Sequence, residues 1–285
     1  MTRRVLVIAV AAAVGALLIG GTAEAKPKAS IVYQTLPPSA ENTFFDITTL
    51  YHPQLAQSLH VKKPMTWDSV EMGTSQVKLI NEPRALEWLV DGKYDEKWFT
   101  SYFGNYKVKA RVTLELWRYD GEGEIPERLD LEDGFTLVYR SILKSKKIAV
   151  GNRVTFPLRR GVEVEPGRYL FVIGMTFPGG DVFNLRFTGQ ENGTNTMGGY
   201  EHDQPLPVEC TKYRMTKDSH PGGLAYRQIP QRKPTAPNWT AGFSKQFQVV
   251  ETKVAMPCDT DGKYGDENQI WNPGDLGLAF RGVRG

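Results

Sequence analysis

Cysteine and histidine are scarce in this sequence, which has two cysteines and four histidines among 285 residues. Neither cysteine lies in a Cys-x-x-Cys pair or close to a histidine, which argues against a zinc site. The chain also lacks the Gly-x-Ser-x-Gly turn of many hydrolases and the His-Glu-x-x-His helix of zinc proteases. Paired carboxylates of the glycosidase kind have no fixed sequence spacing, so that type of catalysis remains open.

An excess of charge of one sign is also missing. The chain has 35 Lys and Arg residues against 32 Asp and Glu residues, a formal net charge of +3. Proteins that bind nucleic acid need a basic surface to neutralise phosphates. With both signs interspersed along the chain, we expect no nucleic-acid partner.

The one long apolar run lies near the amino terminus, at residues 5–19, directly after Arg3 and Arg4. A bilayer core needs about 20 apolar residues, and two glycines interrupt this run before small residues that end at Ala25. The pattern indicates a cleavable signal peptide over residues 1–25 rather than a membrane anchor. We therefore expect a mature chain without an integral membrane segment that is secreted, periplasmic or located at the cell surface.

An exported location also bears on the two cysteines. Oxidising compartments favour disulfide bonds, so Cys210 and Cys258 are expected to pair. The alternative is two buried free thiols.

The mature sequence is rich in short β-type runs and has no long helical period. The clearest run is 109–119, where apolar residues alternate with Arg111, Thr113 and Glu115, as in a strand buried on one face. Further strands are predicted at 135–143, 153–158, 169–177, 182–187, 243–252 and 276–283. Many strands without intervening helices predict an all-β sandwich or barrel. Residues 26–42 contain three prolines and are interpreted as an extended lead-in to a domain at 43–285.

Several short segments, in consistent order, resemble a jelly-roll β-sandwich domain of secreted bacterial proteins. They are L-A-Q-S-L-H-V at 55–61, D-S-V-E-M at 68–72, V-E-V-E-P-G-R-Y at 162–169, G-Y-E at 199–201, P-G-G-L-A-Y at 221–226 and D-L-G-L-A-F-R at 275–281. The resemblance implies an antiparallel jelly-roll sandwich similar in fold to carbohydrate-binding modules, with 55–61 and 276–283 as strands and no catalytic residues. The chain departs from the family by long loop insertions at about 73–108, 201–220 and 231–272.

Aromatic residues crowd the first insertion between residues 88 and 106, although they make up 11% of the chain. Exposed rings can stack on sugars, so the predicted ligand-binding residues are Trp88, Tyr94, Trp98, Tyr102 and Tyr106. Four-residue spacing would align Tyr94, Trp98 and Tyr102 on one face of a helix, and even spacing would do so on a strand. The alternative is a satellite core that pins the insertion to the sandwich. Trp239 and Trp271 are weaker candidates of the same kind.

An oxygen-rich stretch follows Cys258, and calcium favours such loops. The candidate metal ligands are Asp259, Asp261, Asp266 and Asn268. Lys263 stands where an EF-hand would place another ligand, and a polar surface turn is the alternative interpretation.

These observations together predict a non-catalytic exported binding module whose ligand is a polysaccharide. The alternatives are a structural or adhesive cell-surface protein that packs against other surface proteins, and a carbohydrate-active enzyme.

Overall fold

A computed structural model describes residues 29–35, 43–191, 223–230, 241–255 and 269–284. The predicted signal peptide, Cys210, Cys258, Trp239 and the candidate calcium ligands lie outside these residues. The side chain of Trp271 also lies outside what is described.

The described residues form an all-β sandwich of two antiparallel sheets, as predicted. In the described part of the chain the larger sheet has nine strands: β1 (Ser30–Gln34), β2 (Thr43–Thr48), β4 (Met65–Ile80), β5 (Phe99–Phe103), β9 (Arg153–Val164), β11 (Val182–Glu191), β14 (Glu251–Ala255), β15 (Gln269–Leu276) and β16 (Leu278–Arg284). The main path through this sheet is β1-β16-β4-β11-β15-β14, with β5 and β9 also paired to β4, and β2 to β11. β1 belongs to the predicted lead-in and pairs with β16.

The smaller sheet has seven strands within the described residues: β3 (Gln54–Val61), β6 (Lys107–Tyr119), β7 (Arg128–Asp130), β8 (Phe135–Ala149), β10 (Gly167–Thr176), β12 (Ala225–Gln228) and β13 (Gln246–Val249). Their order is β7-β13-β12-β3-β10-β6-β8. Strand β8 is thus the edge of this sheet beside β6.

Helical structure in the described residues is confined to the first insertion, where α1 (Ala85–Val90) precedes a 3₁₀ turn (Glu96–Trp98). The Asp95 side chain accepts a hydrogen bond from the Lys97 backbone N–H at 3.1 Å, which satisfies a donor at the start of this turn. No described helix is long and apolar enough to cross a bilayer.

The main core lies between the two sheets. On β6, inward residues such as Val112, Leu114 and Leu116 are buried, as the alternation predicted. At the interface, the ring of Phe280 stacks on Trp67 of the same sheet with centroids 4.1 Å apart and meets Phe171 of the other sheet edge-on at 5.3 Å. These rings join the two sheets through close apolar contact.

A second apolar cluster covers part of the outer face of the seven-stranded sheet. It combines Trp117 on β6 and Val172 on β10 with Leu129 and Leu131 from the β7 region. Strand β10 is therefore covered on both faces, which explains its continuous apolar sequence L-F-V-I-G-M. The cluster covers only part of the face, and the remainder is open.

Candidate functional site

A cleft of about 370 Å³ lies on the uncovered part of this outer face. Strands β3, β6, β8 and β10 form its floor, and residues 243–245, which precede β13, form one wall. The cleft is lined by Gln54, Arg111, Thr113, Glu115, Arg140, Ile142, Thr176, Phe243, Ser244 and Lys245.

The wall of the cleft depends on a close approach between Phe243 and Gly174. A Cβ atom on Gly174 would lie 2.8 Å from Phe243 Cζ, so a larger residue there would displace the ring. The adjacent backbone is fixed because the Ser244 N–H donates to Gln54 Oε1 at 2.8 Å. The Phe243 side chain is nevertheless 42% exposed, so its ring is held in place and open to solvent.

The floor contains a nearly buried carboxylate, Glu115, which is 6% exposed. Its two oxygens accept hydrogen bonds from Arg140 Nε and Trp117 Nε1, each at 2.8 Å. Lys245 Nζ lies 4.2 Å from the centroid of the Trp117 ring, in cation–π contact. Both oxygens of Glu115 are thus engaged, and the ion pair fixes the positions of Glu115 and Arg140.

A strip of exposed cations continues from the cleft along the outer face of β6 and β8. Antiparallel pairing places Lys109 directly opposite Lys147, with Arg111 at the cleft end of the strip and Lys107 at the far end. We define the basic strip by its exposed members Lys107, Lys109, Arg111, Lys144 and Lys147.

The predicted aromatic site divides into buried and exposed parts. Trp98 is only 9% exposed and its ring lies 4.6 Å from that of Trp88. Both belong to a small apolar cluster with Leu50 and Leu89. For these two tryptophans the satellite-core interpretation is confirmed. Their edges also line a second depression of about 510 Å³, with Lys93 and Lys97 at its rim.

The expectation that Tyr94, Trp98 and Tyr102 share one face is wrong. The segment is neither one helix nor one strand, because Trp98 ends the 3₁₀ turn and Tyr102 lies in β5. Tyr94 is 53% exposed and stacks on Phe99, which is paired with Ile80. Tyr102 lies three residues after Phe99 on β5 and is paired with Val77. Its side chain therefore points to the face of the sheet opposite to that of Phe99.

Two further aromatic rings of this insertion lie on or next to β5. Tyr102 stacks on Tyr106 with centroids 4.5 Å apart. Phe103, which was not among the predicted ligand-binding residues, is 69% exposed. The insertion therefore presents a stacked Tyr102–Tyr106 pair, Tyr94 stacked on Phe99 and the exposed ring of Phe103. A role for Trp88, Tyr94, Trp98, Tyr102 and Tyr106 in ligand binding stays a prediction.

Within the described ranges, no three His, Cys, Asp or Glu side chains are grouped so that they could hold a metal ion. The candidate calcium loop and the predicted disulfide lie beyond those ranges, so both stay predictions.

The sequence pattern places Arg111, Thr113 and Glu115 on the polar face of a strand, but these residues were not predicted as a site. The signal was the run of basic residues at alternate positions, Lys107, Lys109 and Arg111. Phe243 carried no comparable signal, because its partner Gly174 lies far away in sequence.

Comparison of the sequence with models of known protein families finds no match. Comparison with curated proteins finds none either.

Proposed function

We propose that this protein is a non-catalytic exported binding module for polysaccharide, and that the cleft on the seven-stranded sheet receives a segment of the polysaccharide chain. The observation that carries the proposal is the exposed ring of Phe243 held beside fixed polar side chains of the sheet. Sugars combine apolar faces with a rim of hydroxyls, so an aromatic wall beside hydrogen-bonding groups suits them.

The two-sheet sandwich is compatible with the jelly-roll domain that the sequence resembles, and this supports a binding role over the other candidates. A carbohydrate-active enzyme of the usual kind needs two carboxylates at the bond to be cleaved. Glu115 is the one carboxylate among the described residues lining the cleft, and Arg140 and Trp117 already occupy its oxygens. This arrangement favours binding over hydrolysis at the cleft.

A glycan array probed with the purified protein tests the function, and two matched variants test the site. Phe243→Ala removes a partly exposed ring from the cleft, and Phe103→Ala removes a more exposed ring from the nine-stranded sheet. We expect Phe243→Ala to abolish glycan binding with little change in melting temperature, and Phe103→Ala to bind like the unmodified protein.

Tyr94→Ala tests the aromatic insertion, because the ring of Tyr94 is exposed and can be removed without opening a core. Loss of glycan binding in Tyr94→Ala but not in Phe243→Ala would move the site to the insertion. Absence of binding to every glycan on the array would reject the function itself and favour the structural or adhesive alternative.

A further inference from the structure

The basic strip is a concentration of charge in a chain that is nearly neutral overall. Alternate residues of a strand are about 6.6 to 6.8 Å apart and point to the same side. Lys107, Lys109 and Arg111 therefore present a row of three cations, and Lys245 continues the positive charge into the cleft, where Arg140 is paired with Glu115. No acidic residue occurs at 107–113 of β6 or at 142–149 of β8.

The cations of the strip have no partners within the part of the chain that the structure describes. None of Lys107, Lys109, Arg111, Lys144 and Lys147 forms an ion pair there, whereas Arg140 is paired with Glu115 at the strip's edge. Lys109 and Lys147 face each other across the ladder with no carboxylate between them. Like charges directly opposite on neighbouring strands destabilise a sheet, so this lysine pair lowers the stability of the folded protein.

Protection of an edge strand explains only part of this pattern. Lysines on an exposed edge discourage pairing with other chains, which accounts for Lys144 and Lys147 on β8. Among the described residues, strand β6 is paired on both sides from Arg111 to Arg118, where it lies between β10 and β8, whereas residues 107–110 pair with β8 alone. Arg111 therefore has no edge to protect, and protection of an edge at Lys107 and Lys109 does not explain why Lys109 stands directly opposite Lys147.

We infer that the polysaccharide bound by this cleft is acidic, with carboxylate groups along its chain that lie on the basic strip. This inference rests on the proposed function and names its ligand class. Phe243 stacks on a sugar ring in the cleft, while the carboxylates of neighbouring sugars relieve the repulsion between Lys109 and Lys147. An extended ligand fits because the strip is a continuous row that leads into the cleft.

Binding to matched pairs of polysaccharides tests the inference. The probes are polygalacturonate, alginate and hyaluronate, each compared with its own carboxyl methyl ester, which keeps the sugar chain and removes the charge. We expect at least one acidic polymer to bind about tenfold or more tightly than its ester. Raising the salt concentration from about 0.05 to about 0.5 M should weaken this binding, because exposed charges are screened.

Two sets of variants connect the charge preference to the strip. The triple variant Lys107→Gln, Lys109→Gln, Arg111→Gln should lower affinity for the acidic polymer about tenfold. The control variant Lys62→Gln, Lys63→Gln, Arg284→Gln removes the same number of exposed charges away from the strip, at the opposite end of β3 from the cleft and on β16. It should bind as the unmodified protein does.

The variant Lys147→Glu distinguishes a ligand-binding role of the basic strip from a purely structural one. It should raise the melting temperature, because a carboxylate then faces Lys109, and it should weaken binding of the acidic polymer. A gain in stability with unchanged binding would overturn the inference.

The remaining outcomes separate the inference from the function on which it rests. Binding to neutral glycans without preference for an acidic polymer would reject the inference and leave the proposed function standing. Absence of any glycan binding would reject both. Binding to double-stranded DNA as tight as to the acidic polymer, and equally sensitive to the triple variant, would assign the strip to nucleic acid instead.

Discussion

The side-chain amide of Gln57 donates a hydrogen bond to the carboxylate of Asp275 across the interior of the sandwich. Gln57 lies on β3 of the smaller sheet and Asp275 on β15 of the larger sheet, and both are fully buried. The backbone N–H of Leu276 completes the link by donating to Gln57 Oε1 at 2.7 Å. One amide thus satisfies polar groups of the opposite sheet at two points.

Replacing Gln57 with leucine should destabilise the protein strongly. The change removes the donor to Asp275 and the acceptor for the Leu276 N–H, leaving both groups buried without that partner. We expect a loss of about 3 kcal/mol in the free energy of unfolding. Chemical denaturation measures it, with Thr155→Val at an exposed position of β9 as the control. A loss below about 1 kcal/mol would show that this link contributes little.

Trp98→Ala should be costly, whereas Tyr94→Ala should not. Trp98 is buried against Trp88 in the satellite core, so its removal leaves a cavity. Removal of a buried tryptophan costs about 3 to 5 kcal/mol. Tyr94 exposes half of its surface, so Tyr94→Ala should lower the free energy of unfolding by less than about 1 kcal/mol. Thermal and chemical denaturation of both variants measure the difference, and equal losses would contradict the assigned burial.

His52 should make stability depend on pH below neutrality. Burial lowers the pKa of His52 below its usual 6.5; a hydrogen bond with the Gln228 carbonyl opposes this shift, and nearby Arg227 adds to it. Because the unfolded chain binds the proton more readily, the stability gained from the neutral ring is fully present above about pH 6.5. It is lost as the pH falls through 6.5 towards the lowered pKa.

Denaturation curves of the unmodified protein and of His52→Asn between about pH 8 and pH 5 check this pH dependence. The stability difference between the two proteins should shrink as the pH falls. A constant difference for His52→Asn would refute the assignment.

Gly174→Ala should weaken ligand binding with little effect on folding. The added methyl group would lie 2.8 Å from Phe243 Cζ and would force that ring to move. The ring is partly exposed and can move outward, so we expect a stability change below about 1 kcal/mol. Calorimetry with whichever polysaccharide the array selects should show reduced affinity, while Gly167→Ala, whose nearest contact is 3.4 Å, should bind normally. Unchanged affinity in Gly174→Ala would remove Phe243 from the site.

The many strand-like runs without intervening helices were sufficient to predict an all-β fold. The clearest of them was β6, because one face of that strand is core and the other is polar. Strand ends were less predictable. Strand β8 continues past the expected end at residue 143 to Ala149, since an edge strand exposed to solvent tolerates the sequence K-S-K-K without alternation. Strand β4 likewise runs on to Ile80, inside the region expected to be an insertion.

The candidate site was harder to predict from the sequence than the fold was. Its cations could be placed on a polar face by counting along β6, but the cleft exists only because residues 243–245 pack beside Gly174 and Gln54. Those contacts join segments far apart in the chain, and no local period encodes them. Aromatic residues are indeed dense at 88–106, but their rings do not lie together. Trp98 packs into the satellite core, and successive side chains of β5 point to opposite faces of the sheet.

The pairing of β1 with β16 has a mechanical consequence. Ser30 lies opposite Gly282 and Gln34 opposite Ala279, so the chain enters β1 and leaves β16 at the same end of the ladder. Tension applied through these two strands would load their hydrogen bonds one after another, as in unzipping, rather than all together in shear. In a single-molecule pulling experiment, β1 should detach at low force before the sandwich opens. The chain would then extend by a short length under load while keeping the cleft intact.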